Sequence, residues 1–212
     1  YLPEGPCPCG DQQFSWVAIH HGVDSSAGSL NIFDLRTGTN RQFELPGRPG
    51  FAFPFGGPGR FVVGLERSVR LFDSADGAWT DICGPVDTEV SGTIVNDATL
   101  CDDGLIFGCK DLKFSEAKAG LYYWRRHDGR LFCLRRDQIC SNGKKVVRWN
   151  GGLTLLDIDS PRKTVVAYPF DPSAGTLGEP RIALDLRQGE AFPDGMILTP
   201  DATGVIISFY DP

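Results

Sequence analysis

A short apolar run that follows a glycine-containing turn recurs along this chain at nearly constant spacing. Gly10-Asp11 leads into Phe14 to Ile19, Gly57-Pro58-Gly59 into Phe61 to Gly64, and Asp103-Gly104 into Leu105 to Gly108. Asn150-Gly151-Gly152 then leads into Leu153 to Leu156, and Gly204 into Val205 to Ile207. The runs start at 14, 61, 105, 153 and 205, so the intervals are 47, 44, 48 and 52 residues. That period matches one four-stranded propeller blade. A β-sandwich would also supply many strands, but it gives no reason for a regular recurrence. Further runs rich in Val, Ile, Leu and aromatics, such as Leu30 to Leu35, Leu121 to Trp124 and Val165 to Phe170, are bounded by Gly, Pro, Asp and Asn. With 26 glycines and 15 prolines and no stretch of 3.6-residue periodicity, the chain reads as all-β, one domain over residues 1–212.

Composition narrows the function classes. The net charge of -6 argues against a nucleic-acid surface. The basic pairs Arg125-Arg126, Arg135-Arg136 and Lys144-Lys145 are scattered among acids and read as solvated strand edges. No apolar run approaches the roughly 18 residues of a membrane span. Seven cysteines, an odd number in a chain of this size, read as reduced thiols of a cytoplasmic protein. Cys7-Pro8-Cys9 has neither the zinc nor the thioredoxin spacing. His20, His21 and His127 have no Cys or Asp partner at a catalytic spacing, and nothing in the sequence suggests a Ser-His-Asp triad.

A second regularity rides on the first. Glu4 precedes its apolar run by 10 residues, Asn96 by 9, Asn142 by 11 and Asp194 by 11. Each lies in a tight, turn-like context: Pro3-Glu4-Gly5-Pro6, Val95-Asn96-Asp97-Ala98, Ser141-Asn142-Gly143 and Pro193-Asp194-Gly195. Equivalent positions of successive propeller blades face one channel, so these four side chains are expected to converge. The second unit has Gly50 and Phe51 at this place. Two carboxylates and two amides sharing a pocket would repel and strand polar atoms unless a cation sat among them. All-oxygen donors suit a hard divalent ion, Ca²⁺ first, with Mg²⁺, Mn²⁺ or Zn²⁺ as alternatives.

Pro3-Glu4-Gly5-Pro6 before Trp16-Val17, Asn96-Asp97 before Asp103-Gly104, Ser141-Asn142-Gly143, Asp157-Ile158-Asp159-Ser160 and Pro193-Asp194-Gly195-Met196 follow one another in the order of a known series. In this the chain resembles the SMP-30/gluconolactonase/luciferin-regenerating-enzyme family over nearly its whole length. The resemblance implies a six-bladed β-propeller with one metal in its central channel. It implies that Glu4, Asn142 and Asp194 hold the metal, that Asn96 contacts substrate, and that Asp194 is the catalytic base. The activity implied is opening of a lactone or related ester; a propeller that binds a metal or small molecule without turnover is the alternative.

The chain departs from the family pattern at two places. Ile94 stands where sugar-lactone members often carry Arg, which removes a hydrogen-bond donor for a polyhydroxylated substrate. Lys110 and Asp111, after the following strand, are expected near the channel mouth, as rim residues first and substrate contacts second. At about 48 residues per blade six blades need roughly 290 residues, so these 212 residues are expected to cover four to five blades and to lack C-terminal strands of a longer protein.

Overall fold

Each recurring apolar run becomes the second strand of an antiparallel sheet. The computed structural model describes residues 2–22, 25–149 and 151–211. Among these, nineteen strands and a single 3₁₀ turn at Ser160–Arg162 form five sheets in chain order. Contacts divide the chain into two compact units, residues 1–86 and 87–212.

In the first unit, β1 (Pro3–Gly10), β2 (Gln13–Ala18), β3 (Ser29–Asp34) and β4 (Thr39–Glu44) make one meander. The next is β5 (Pro49–Pro54), β6 (Arg60–Leu65), β7 (Ser68–Asp73) and β8 (Trp79–Cys83). Val17, Leu30, Ile32, Phe61, Val63 and Phe72 form the buried core between these two sheets. Removing such a side chain from water is worth about 1.5 to 3 kcal/mol.

The second unit begins with the meander β9 (Thr93–Cys101), β10 (Gly104–Asp111), β11 (Ala119–Arg125) and β12 (Leu131–Gln138). It continues with β13 (Ser141–Trp149), β14 (Gly152–Asp159) and β15 (Thr164–Asp171), against which β16 (Thr176–Leu177) and β17 (Arg181–Asp185) both pair. A hairpin of β18 (Phe192–Leu198) and β19 (Val205–Tyr210) completes it. Ile106, Leu121, Tyr123, Leu155 and Phe170 join the first two sheets of this unit. Met196, with Val205 and Ile207, packs the hairpin onto Leu156, Ile158 and Val165. A two-stranded hairpin is marginal alone, so this packing is what holds it in place.

One turn serves three of the outer hairpins. Asp34, Asp73 and Asp171 each accept, through the side chain, a backbone N–H two residues on, and each takes the N–H of Gly38, Gly77 or Gly175 on its carbonyl. Those glycines have φ of +67°, +75° and +69°, the left-handed region that closes such a turn with least strain. Of the expected turn Asn150-Gly151-Gly152, Asn150 lies outside the described residues and Gly151 takes φ +81°.

The expected turn-like contexts around the four polar residues are strand-internal bulges instead. In β1 the pairing shifts between Glu4 and Cys7, and in β5 between Pro49 and Phe51. In β9 Asn96 and Asp97 together oppose the one residue between Phe107 and Cys109. In β13 the shift lies between Asn142 and Lys144, and in β18 between Pro193 and Met196. The first strand of every sheet therefore bulges at the same place. A bulge bends the strand and turns a side chain out of the alternating pattern, which explains why glycine- and proline-flanked residues at a fixed offset read as turns.

Candidate active site

Two of the four expected side chains, Asn96 and Asn142, meet in the second unit, and the backbone of Asp194 approaches Gly143 beside them. Asn96 on β9, Asn142 on β13 and Asp194 on β18 all sit at bulges of neighbouring first strands. Glu4, half-buried at the bulge of β1, belongs to the first unit.

Asn96 is buried, and its Nδ2 donates to the Ser141 carbonyl at 2.9 Å and to Asn142 Oδ1 at 2.8 Å. Asn142 Nδ2 donates to Ser160 Oγ at 2.9 Å, and Ser160 Oγ donates to the Pro193 carbonyl at 2.6 Å. The carbonyls of Ser141 and Pro193 can only accept, so the direction of every bond between them is set. Both amides are thereby oriented. Asn142 Oδ1 keeps one lone pair, and Asn96 Oδ1 and the Asp194 carboxylate receive no hydrogen bond from the described residues.

Close backbone approach makes this geometry possible. A Cβ on Gly143 would stand 2.5 Å from the Asp194 carbonyl oxygen and 2.9 Å from Met196 Cβ, so β13 and β18 meet here only because residue 143 has no side chain. Below the site, Asp159 anchors the start of β13 by accepting the Cys140 N–H at 2.8 Å and that of Ile139 at 3.1 Å, while Arg162 donates to it at 2.8 Å.

Burial raises the pKa of Asp194, and the Asp97 carboxylate adds to the rise; Lys110 and Lys144 oppose it. No cation lies within 4 Å of its oxygens among the described residues. Lys144, whose side chain is fully buried, donates from Nζ to the Asn142 carbonyl at 2.9 Å and stands 3.7 Å from an Asp97 oxygen. Its cross-strand neighbour Asp157 is also buried, and burial pushes that carboxyl up to about 7, Lys144 being the largest opposing influence. Burial drives the Cys140 thiol to about 12, which keeps it protonated and unsuited to a soft metal.

Several expectations need correction. Lys144 and Arg125, read as solvated edge residues, are both buried; Arg125 pairs with Asp128 at 2.6 Å and caps the Ser173 carbonyl at 2.6 Å. Lys110 and Asp111 are not rim residues either: they are 8% and 0% exposed. Asp111 organises the loop after β10, accepting the N–H groups of Ser115 and Glu116 and pairing with Lys118 at 3.2 Å. A Ser-His-carboxylate chain, which the sequence did not suggest, does occur in the first unit. His21 meets Ser29 Oγ at 3.0 Å and Glu44 at 3.3 Å, but Ser29 is wholly buried and its oxygen accepts the Asn31 amide, so its role is structural. All seven cysteines are free thiols.

Against this geometry the comparisons are decisive for the family. The profile of the SMP-30/Gluconolactonase/LRE-like region matches residues 2–209. The chain belongs to that family. A relative within reach of sequence comparison is the Bacillus subtilis (strain 168) protein named "Putative sugar lactone lactonase YvrE", 25% identical over 185 residues. The match takes in 87% of this chain and 61% of that protein, so this SMP-30-like chain spans under two thirds of its relative's length. Among solved structures, a calcium-binding protein, regucalcin, from Agrobacterium tumefaciens str. C58 superposes with a TM-score of 0.82 at 19% identity, over 99% of this chain and 68% of that one. A luciferin-regenerating enzyme superposes with a TM-score of 0.81 at 20% identity, over 99% and 69%. The fold of this SMP-30-like chain is thus shared with both. No helix among its described residues is long and apolar enough to cross a membrane.

Proposed function

We propose that this chain is the lactone-opening part of a metal-dependent hydrolase, with its chemistry centred on Asn96, Asn142 and Asp194. The observation that supports this most is the oriented chain from Asn96 through Asn142 and Ser160 to Pro193. It presents two amide oxygens beside a half-buried carboxylate that has no partner. Family membership and the lactonase relative point to the same reaction. On this reading the five sheets are successive blades of one six-bladed propeller domain, of which residues 1–212 supply four to five.

The donor set suits a hard divalent cation. Asp194 and Asn142 would hold it with oxygen atoms, and Glu4 of the first unit is the third ligand the resemblance implies. Among the described residues no three His, Cys, Asp or Glu side chains gather to hold a metal by themselves, so amide oxygen must take part. That composition favours Ca²⁺, Mg²⁺ or Mn²⁺ over Zn²⁺. When bound, such an ion supplies Lewis acidity to the lactone carbonyl and acidifies a water.

The protein's own groups do the rest. Asp194 takes a proton from the attacking water; a cation held by the same carboxylate would lower its basicity, so the water it deprotonates must itself be acidified by that ion. Water oxygen bonds to the carbonyl carbon, the ring C–O bond breaks, and the proton passes to the leaving ring oxygen to give a hydroxy acid. Both Asn96 amide hydrogens are committed to Ser141 and Asn142, so its Oδ1 is the atom left to accept a substrate hydroxyl.

Calorimetric titration with Ca²⁺, Mg²⁺ and Mn²⁺, paired with a pH-indicator assay over a lactone panel, tests this. Stoichiometric binding and lactone opening, both lost in Asp194→Ala, are the expected result. Metal binding without hydrolysis of any lactone would assign the chain to the binding-module alternative.

A further inference from the structure

Lys110 is a buried lysine that has no ionic partner among the described residues. It is the second-last residue of β10, opposite Ile94 in β9, and bridges Cys140 two residues before Asn142. It is 8% exposed, yet among the described residues its ammonium makes no hydrogen bond and meets no carboxylate within 4 Å. It stands over the Phe114 ring, 5.5 Å from Nζ to the centroid. The ammonium is near enough to Asp194 and Cys140 for its charge to be felt at both. The other buried lysine of this region, Lys144, by contrast donates to the Asn142 carbonyl and pairs with Asp97.

The side chain is largely buried, and its ammonium is left without a counter-ion among the described residues. Three unclaimed donors on β10, beside the strand that carries Asn96 and opposite an apolar Ile94 that offers none, are complementary to an anion. We propose that Lys110 is the subsite for a carboxylate carried by the substrate, so that the preferred lactones are acidic ones. One ammonium neutralises one carboxylate. A dianionic phosphate would leave a second negative charge facing Asp97 and Asp194.

The proposal rests on the lactone-hydrolase reading for its reaction, though not for its binding. The test therefore has two arms, both on the full chain with divalent metal. In the first, kcat/KM is measured for neutral glucono-1,5-lactone and for carboxylate-bearing glucaro-1,4-lactone in the parent, Lys110→Met and Lys110→Arg. The parent is expected to prefer the acidic lactone. Lys110→Met should lose about tenfold more on it than on the neutral one, the factor of a single charge-assisted hydrogen bond, and Lys110→Arg should recover part of the loss. Equal preference in parent and Lys110→Met overturns the proposal.

The second arm is calorimetric binding of the open-chain products glucarate and gluconate. If the parent opens neither lactone, the hydrolase reading fails and this arm alone decides. Tighter binding of glucarate that disappears in Lys110→Met sustains the subsite, and identical affinities in the two proteins overturn it. Thermal melting separates structure from recognition. Removing an unpaired charge should leave Lys110→Met and Lys110→Gln at least as stable as the parent, whereas a fall in both, with losses on both lactones alike, would make Lys110 a structural residue and overturn the proposal.

Discussion

The side-chain amides of Asn96 and Asn142 meet head to tail at 2.8 Å, from the first strands of two successive sheets. Asn96 must donate in this pair, because its second hydrogen already serves the Ser141 carbonyl. Aspartate is the nearest isostere and cannot donate at all. Asn96→Asp should therefore lower stability by about 3 kcal/mol, since two acceptors lose their donor and a carboxylate is placed against them. Chemical denaturation measures this, and Asn96→Asp as stable as the parent would refute the bond direction.

Gly143→Ala tests the close approach of β13 and β18. Its methyl would lie 2.5 Å from a backbone oxygen that cannot move without shifting the strand. A loss of about 2 kcal/mol is expected, together with weaker metal binding because the displaced backbone carries Asp194. A melting curve and a metal titration on the same preparation check both.

Ser160 links the Asn142 amide to the Pro193 carbonyl. Ser160→Ala should weaken metal binding about tenfold by leaving Asn142 free to rotate, a magnitude usual for residues that orient metal ligands. Ser160→Thr, which keeps the hydroxyl, should recover most of it. Calorimetric titrations of the two variants against the parent would show this directly.

Asp157 makes stability depend on pH. Burial raises its pKa from 3.8 to about 7 in the folded chain, so between these values the folded state holds a proton that the unfolded state has lost. Stability then falls as pH rises through this window and levels off above it. Asn cannot ionise. The stability of Asp157→Asn relative to the parent should accordingly improve from pH 4.5 to pH 8, by about 1 to 3 kcal/mol. Urea midpoints measured at both pH values give the comparison, and a difference that does not change with pH would place the Asp157 pKa outside the window.

Much of this arrangement could be read from the sequence because it depends on local spacing. The five apolar runs became second strands, and the residues at a fixed distance before them became bulge residues of first strands, as the repeat required. For that reason Asn96 meets Asn142, and the Asp194 backbone approaches Gly143. The bulges themselves were hidden, since glycine beside asparagine or aspartate is the same signal for a turn and for an extra residue in a strand. Lys144 was misread for a different reason. In Ser141-Asn142-Gly143-Lys144-Lys145 strand alternation sends one lysine inward, and which one depends on where the bulge falls. Asp157 and Ser160 lie on neighbouring elements, and their partners are set by pairing across sheets, to which spacing within one strand gives no access.

The pairing of every first strand continues on both sides of its bulge, shifted in register. What a bulge displays is thus decoupled from how its sheet assembles, because the displayed side chain carries none of the ladder. Chemistry can be exchanged at such a position one letter at a time. Gly50, which fills the corresponding place in β5 without a functional group, is in this sense a blank socket of the same frame.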